Sequence, residues 1–360
     1  MRPRLLFIYQ KPTSFVRDDL RLLGERYDVR PFSFDLSGAR TRPGRAALLA
    51  RRWAEQAAWL RKELPKADLL FGWFADVHLS LPARAVARQG IPLAIAIGGF
   101  DAMDIPELGY GVFGTWRAPF ARQVLHRASL LLPVAESLVQ TTNSFLPASP
   151  EQGLRVHVPD LRTPIEVVPT GYDPAAWPLG RAERAPSVVS VALIDSDRTL
   201  RRKGVDLLIE VARRLPSIPF DVVGIEMDLE EIRQRYRPPA NLALRPPLPR
   251  EELAEVYGKA AVYLQLSRAE GMPNVLCEAM LCGCIPVGSR VFGIPAAIGQ
   301  AGYLVEAPEP EAVARVVQDA LDAPPSAREA AHAQIVEHFT RQKRRERLFQ
   351  LLAGLMAEVA

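Results

Sequence analysis

Two carboxylates, Glu270 and Glu278, stand eight positions apart around a turn that opens a helix. Upstream, residues 260–266 form an apolar run that reads as a buried strand. Downstream, residues 274–281 follow a helical period, Gly283 ends it, and Cys284-Ile285-Pro286-Val287 reads as the next strand. Pro273 suits the first helical position, where its missing N–H is no loss. Such a turn aims free backbone N–H groups and the positive end of a helix at one spot, a ready site for a phosphate or diphosphate. Acceptor-only carboxylates on either side of that spot suit a ligand with hydroxyls flanking a diphosphate, such as a nucleotide sugar. An ordinary βαβ unit with one surface Glu and one capping Glu has the same spacing.

A second cationic group follows the apolar run 188–193: Arg198-Thr199-Leu200-Arg201-Arg202-Lys203-Gly204, ahead of a helical stretch. Four cations beside a glycine at a helix start can neutralise a diphosphate, although a solvated basic loop has the same composition. In the first half, Gly98-Gly99-Phe100-Asp101 follows a strand, and the carboxyl ends of strands in an open parallel sheet face the ligand crevice. Asp101 there is a candidate for an acceptor or sugar hydroxyl, or else a structural cap of the next turn, and Gly99 lies beside it. His78, after the run 69–73, either faces the cleft or is structural. Residues 11–18, with Ser14, follow the first strand and line the acceptor side by position.

These groups need parallel sheets to hold them. Apolar runs at 5–9, 69–73, 93–97 and 130–134 alternate with helical stretches at 18–26, 45–63, 79–89 and 114–127. The second half repeats the pattern, with strands at 188–193, 220–223, 242–244, 261–266 and 285–287. Its helices are at 205–215, 229–236, 250–259, 274–281 and 311–321. Short buried strands alternating with helices predict an α/β fold of two doubly wound, Rossmann-like domains. A length of 360 residues also favours two domains. The turn-rich stretch 169–186 marks the boundary, giving domains at 1–172 and 173–339. Residues 340–360 read as one amphipathic helix, basic at its start, that crosses back to the first domain; contact with a membrane surface is the other reading.

Composition excludes several classes. Hydrophobic content of 48% and charged content of 24% are those of a globular chain, and the net charge is a mild +4. The excess comes mainly from Arg, whose planar fork suits phosphate. No apolar run approaches the roughly 20 residues of a membrane helix. The N-terminal apolar run, stopped by Gln10-Lys11-Pro12, is too short for a signal peptide. The three cysteines, Cys277, Cys282 and Cys284, lack partners for a zinc set and read as buried thiols in a reducing, cytoplasmic setting. No Gly-x-Gly-x-x-Gly follows an early strand, which argues against a dehydrogenase. Aromatic and basic residues are not interleaved on one face, which argues against nucleic-acid binding.

Glu270 to Glu278 resembles the E-x7-E motif of retaining GT-B glycosyltransferases of the family 4 (group 1) type. The likeness continues through Glu278-Ala279-Met280-Leu281-Cys282-Gly283-Cys284-Ile285-Pro286-Val287, which is similar to that family's E-A-M-A-x-G-x-P-V-V run. Lys203-Gly204 and Leu208-Ile209 fit its K-G-x-x-x-L-I pattern, while Asp197-Arg198 replaces Gly-Arg in a longer loop. Residues 169–173 resemble its interdomain P-N-G-V-D, with Thr170 for Asn. Many members carry His-Gly-x-Asp in the first domain, where the His touches the transferred sugar; Gly98 occupies that position here.

The resemblance covers residues 165–325 well and implies a cleft between the two domains. It implies that Lys203, with Arg198 or Arg202, neutralises a leaving diphosphate. The N–H groups of Asn274, Val275 and Leu276, with Gly271 and Met272 alongside, would hold the donor. Glu278 would take the ribose, Glu270 the sugar, and Gly224 would lie near the nucleotide. Neither a metal nor another cofactor is expected. The implied activity is hexosyl transfer from a nucleotide sugar to a glycan, lipid or small molecule. An epimerase or phosphorylase on the same fold, or a non-catalytic sugar- or nucleotide-binding protein, is the alternative.

Overall fold

The computed structural model describes residues 2–357 apart from 39, 40 and 182. Five parallel strands form the first sheet: β1 (Arg4–Tyr9), β2 (Asp28–Ser33), β3 (Leu69–Trp73), β4 (Leu93–Ile97) and β5 (Leu130–Pro133), in the order β2-β1-β3-β4-β5. Both β3 and β4 are buried at every residue, as expected of strands covered on two faces. Their cover comes from α1 (Ser14–Gly24), α2 (Arg42–Glu63), α3 (Val77–Ala87) and α4 (Ala118–Arg127). A short hairpin, β6 (Thr141–Thr142) with β7 (Glu151–Gln152), and one turn of helix, α5 (Leu154–His157), follow.

The second sheet has six parallel strands: β8 (Val188–Ile194), β9 (Phe220–Ile225), β10 (Leu242–Arg245), β11 (Val262–Gln265), β12 (Ile285–Ser289) and β13 (Tyr303–Val305). Their order is β10-β9-β8-β11-β12-β13, so the winding reverses between β8 and β11. The helices are α6 (Asp197–Arg202), α7 (Val205–Arg214), α8 (Leu229–Tyr236), α9 (Arg250–Lys259), α10 (Asn274–Leu281), α11 (Ile294–Ile298), α12 (Pro310–Leu321) and α13 (Ser326–His338). A last helix, α14, runs over Arg341–Ala357; residues 358–360 of the expected terminal helix lie outside the described residues.

Several elements differ from the sequence reading. Strand β2 escapes a hydrophobic scan because it is an edge strand with exposed Arg30 and Pro31. The segment 197–202, read as a basic loop, is helix α6, started by the Ser196 side chain accepting from Thr199 N–H. Pro273 is the cap residue of α10, and the helix itself begins at Asn274.

The chain passes between the sheets twice, side by side. Tyr172 N–H donates to Phe339 C=O at 2.8 Å, and Arg341 N–H donates to Tyr172 C=O at 2.8 Å. Helix α14 then lies on the first domain through its arginines. Arg344 is buried and forks onto both oxygens of buried Asp19, at 2.7 and 2.6 Å. It also donates to the C=O groups of Val168 and Pro169, both at 2.8 Å, and Trp73 Nε1–H donates to Asp19 at 2.9 Å. Arg341 pairs with Asp18, Arg345 with Glu25 and Arg347 with Glu166. The basic start of this helix is thus occupied by carboxylates of the chain itself. Among the described residues no helix is long and apolar enough to cross a membrane.

Removing one partner of a buried ion pair strands the other charge. Arg344→Ala is therefore expected to cost about 3–5 kcal/mol, read from urea unfolding; a loss no larger than that of Arg345→Ala would show that the clasp is not structural.

Candidate active site

The reversal between β8 and β11 decides what meets. In an open α/β sheet the crevice beyond the strands' carboxyl ends opens where the winding changes direction. The chain leaving β8 runs through α6 to Lys203, and the chain leaving β11 runs to Glu270. Lys203 Nζ donates to Glu270 Oε2 at 2.6 Å, with both side chains largely buried. Burial raises the Glu270 carboxyl, but Lys203 and Arg202 outweigh it and hold the pKa below its ordinary value. For Lys203 the balance is reversed: burial and the neighbouring Arg202 lower the ammonium pKa despite Glu270. One carboxylate facing two cations gives both shifts, and it leaves positive charge for an anion.

Beyond Glu270, the turn Gly271-Met272-Pro273 delivers the first turn of α10, which no side chain caps. Met272 and Leu276 are buried, and Val275 is half-buried. Asn274 is tied to the interdomain passage: its Oδ1 accepts from Tyr172 Oη at 2.8 Å and Thr170 Oγ1 at 3.2 Å. Glu278, one turn further, lines a cavity of about 360 Å³ between the domains, with Ser14, Asp18, Arg17, Arg250 and Arg341. Burial pushes its carboxyl up to about 7, opposed by Arg250 and assisted by Asp18. The two carboxylates therefore differ in character.

Across the cleft, the first domain closes on the same turn. The carbonyl of Gly98 is so near Gly271 that a Cβ on Gly271 would come within 2.0 Å of it. Asn143 Nδ2 donates to Arg268 C=O at 2.8 Å, and Ser144 Oγ to Glu306 C=O at 3.2 Å. Tyr110 receives the Arg202 guanidinium over its ring, 4.6 Å from the centroid, and its other face neighbour is Phe100, edge-on at 5.3 Å. Tyr110 thus enters the Arg202–Lys203–Glu270 group from the first domain. A tyrosine in an irregular loop left no signal in the sequence.

Several candidates take other roles. Arg198 is exposed and reaches Gly109 C=O at 3.4 Å, so Arg202 is the arginine beside Lys203. Asp101 is fully buried, not open to an acceptor. Its Oδ1 accepts the N–H of Gly98 and Gly99, both at 3.0 Å, and its Oδ2 accepts that of Ala75 at 2.9 Å. It shapes the Gly98-Gly99 turn. His78 is also fully buried, and burial pushes it down to about 4. The neutral ring donates from Nε2 to Trp73 C=O at 2.9 Å and accepts at Nδ1 from Gln10 at 3.2 Å. Gly224 lies inside β9 rather than at its end, with φ of 110° and its α-carbon pressed on Ala192 C=O. Ser14 does face the cleft, in the cavity of Glu278.

Position 98 is glycine for a reason the sequence hides. A Cβ there would fall 2.3 Å from the ring of Phe74, which fills the space of any side chain at 98. Phe74 has φ of 69°, a left-handed conformation that costs an aromatic residue about 1–2 kcal/mol. Its ring is half-buried at the cleft, 6.1 Å from Phe15.

Two expectations follow from this geometry. Gly98→Ala alone should lose about 1–3 kcal/mol through overpacking, and adding Phe74→Ala should recover part of it in thermal unfolding. The raised Glu278 carboxyl binds its proton more tightly folded than unfolded. Its contribution is therefore present below the unfolded value, about 4.3, and is lost as pH rises through about 7. Glu278→Gln should thus gain in melting temperature over the wild type between pH 5 and pH 8; a constant difference would contradict the assignment.

Comparison with known proteins bears on this site. Residues 190–336 match the model of the family described as glycosyl transferases group 1. The gpi3 subunit of phosphatidylinositol N-acetylglucosaminyltransferase from Schizosaccharomyces pombe is 28% identical over 112 residues, 29% of this chain and 25% of that protein. D-inositol 3-phosphate glycosyltransferase of Mycolicibacterium smegmatis is 27% identical over 286 residues, 75% of this chain and 61% of that one. The chain thus spans less than two thirds of either relative. Sucrose-phosphate synthase from Thermosynechococcus elongatus superposes on 99% of this chain and 100% of its own, with TM-score 0.74 at 16% identity. Anabaena Alr3699/HepE, in complex with UDP and glucose, covers 98% of this chain and 100% of its own, with TM-score 0.68 at 15% identity. The chain has the GT-B fold, and its second domain carries the group 1 glycosyl transferase sequence pattern.

Proposed function

We propose that the protein is a retaining glycosyltransferase that moves a sugar from a nucleotide diphosphate sugar to a hydroxyl acceptor. The observation that carries this reading is the Lys203–Glu270 pair, with Arg202 beside it, at the uncapped start of α10. The diphosphate takes the positive charge of Lys203 and Arg202, together with the N–H groups of Asn274, Val275 and Leu276. Glu270, released from Lys203 by the competing anion, accepts hydrogen bonds from the sugar hydroxyls and orients the anomeric carbon. Glu278 accepts from the ribose. Its carboxyl ionises more readily once Arg250 and the ligand's donors share the cavity.

Transfer breaks the bond from the anomeric carbon to the phosphate oxygen and forms the bond to the acceptor oxygen on the same face. The acceptor's proton passes to the leaving phosphate. Lys203, Arg202 and the helix start stabilise the charge that develops on that phosphate, which is where electrostatic catalysis is strongest. The protein's own cations supply this, so the reaction is proposed to need neither a metal nor another cofactor. The acceptor enters from the first domain, past Ser14 and the Phe74 ring. A uridine nucleotide is the first donor to try, since Alr3699/HepE was crystallised with UDP and UDP-glucose. Three buried free thiols suit a reducing compartment, and the cytoplasm is the proposed location.

Calorimetry with UDP, GDP, ADP and their sugars, followed by product analysis, tests the reading. One nucleotide should bind saturably, and Glu278→Ala should weaken it by about ten- to a hundredfold, the worth of a charged hydrogen bond. Lys203→Ala should cut transfer by about 10²–10³-fold, and Glu270→Ala should cut transfer more than it cuts affinity for the bare nucleotide. Wild-type transfer rates in all three variants would remove the site assignment. Turnover that yields an epimer or a sugar phosphate would assign a different reaction to the same site, and binding without turnover a non-catalytic role.

A further inference from the structure

The cations around the exit of α6 differ in what holds them. Arg201 pairs with Asp197 at 3.1 Å, Arg198 reaches Gly109 C=O, and Lys203 donates to Glu270 at 2.6 Å. Arg268, on the neighbouring loop, pairs with Asp206 at 2.7 Å. Arg202 is held differently. Among the described residues its guanidinium makes no ion pair and no hydrogen bond, and its partner is the face of the Tyr110 ring, 4.6 Å from the centroid. A ring face attracts the positive charge but supplies no acceptor oxygen, so the five N–H donors stay unspent. A carboxylate in the same place would have cancelled the charge.

Tyr110 is itself held firmly. Its N–H donates to Ile105 C=O at 3.1 Å, and its C=O accepts from Ile105 N–H at 2.8 Å, which closes the loop 105–110. Gly109, with φ of 54°, makes the left-handed turn just before it. Phe100 meets the Tyr110 ring edge-on at 5.3 Å, and the Arg117 guanidinium lies over Phe100, 4.7 Å from its centroid. Arg117 in turn donates to buried Asp76 at 2.5 Å. The ring that meets Arg202 is thus the end of a packed run of alternating guanidiniums and rings, anchored in the first domain. An arginine at a helix end otherwise samples many rotamers, and fixing it costs entropy that a partner must offset.

We propose that Tyr110 is a positioning residue for the diphosphate of the donor: its ring, supplied by the first domain, holds the Arg202 guanidinium beside Lys203 with its N–H donors free. This role rests on the reading of Lys203 and Arg202 as the diphosphate site. Tyr110 acts through Arg202 and makes no contact of its own with the diphosphate. Loss of the ring therefore disperses the charge of Arg202 over many rotamers without removing it.

Calorimetry on the full chain with UDP, GDP, ADP, CDP and dTDP tests the role. Two variants without a ring face, Tyr110→Leu and Tyr110→Gln, should each weaken the nucleotide that the wild type binds by about 2–30-fold, the worth of a cation–π contact. Tyr110→Phe keeps the ring face and should restore affinity to within about twofold of wild type. In an Arg202→Ala background, Tyr110→Leu should cost nothing further, because the two residues act as one unit. Wild-type affinity in both Tyr110→Leu and Tyr110→Gln, no recovery in Tyr110→Phe, or a full further loss on top of Arg202→Ala overturns the role of Tyr110. Weakened binding by Lys203→Ala in the same series would leave the diphosphate site standing. A wild type that binds none of the five nucleotides would overturn the donor reading, and the role of Tyr110 with it.

Discussion

A lysine and a glutamate share a largely buried site where the winding of the second sheet reverses, and the cleft is organised around that constraint. Neither charge is comfortable there alone, because taking an ion from water costs several kcal/mol that only a close partner offsets. The pair is possible because β8 and β11 are neighbours in space while their exits lead to opposite faces of the sheet. Helix α6 brings Arg202 to the same point, and α10 directs its uncapped end there. The first domain then seals the group, with Gly98 pressed on Gly271 and Tyr110 under Arg202. The positive charge at this point is held in place by the fold, and part of it is neutralised by Glu270.

The legible part of the sequence was the part written in apolar runs and in charged residues at helix starts. Glu270, Glu278 and Lys203 stand out because a strand precedes each segment and a glycine or proline marks the turn. Tyr110, Phe74 and Asn143 were not legible, because they act from irregular loops of the first domain on partners far away in the chain, and no local period encodes such a meeting. Asp101 and His78 looked chemical because of their residue types. Asp101 accepts from backbone N–H groups, and His78 donates to Trp73 C=O and accepts from the Gln10 amide; the sequence marks none of these partners, and the bonds spend both side chains on holding loops. Arg198 against Arg202 turned on an unforeseen helix: once 197–202 is helical, Arg202 ends it beside Lys203, while Arg198 sits one turn back and reaches Gly109 C=O.

Position 98 shows how a missing group can be accounted for by a neighbour. A reading from position alone sees only the lack of a side chain there. The structure shows that the volume is taken by the ring of Phe74, reached through an unfavourable backbone conformation at the end of β3. Strain of this kind persists when surrounding packing over-determines it, and here Trp73 and Phe15 supply that packing. At this point the chain offers an aromatic ring, which does not donate a hydrogen bond.

The clasp of Arg344 on Asp19 joins residues 325 positions apart. During synthesis the first domain emerges well before its partner for Asp19 exists. Until α14 has been made, that carboxylate lacks its guanidinium, so the region around α1 and the Trp73 indole stays unfinished while the second domain folds. Helix α14 thus completes the half that was made first, and a product lacking α14 would expose a defect there.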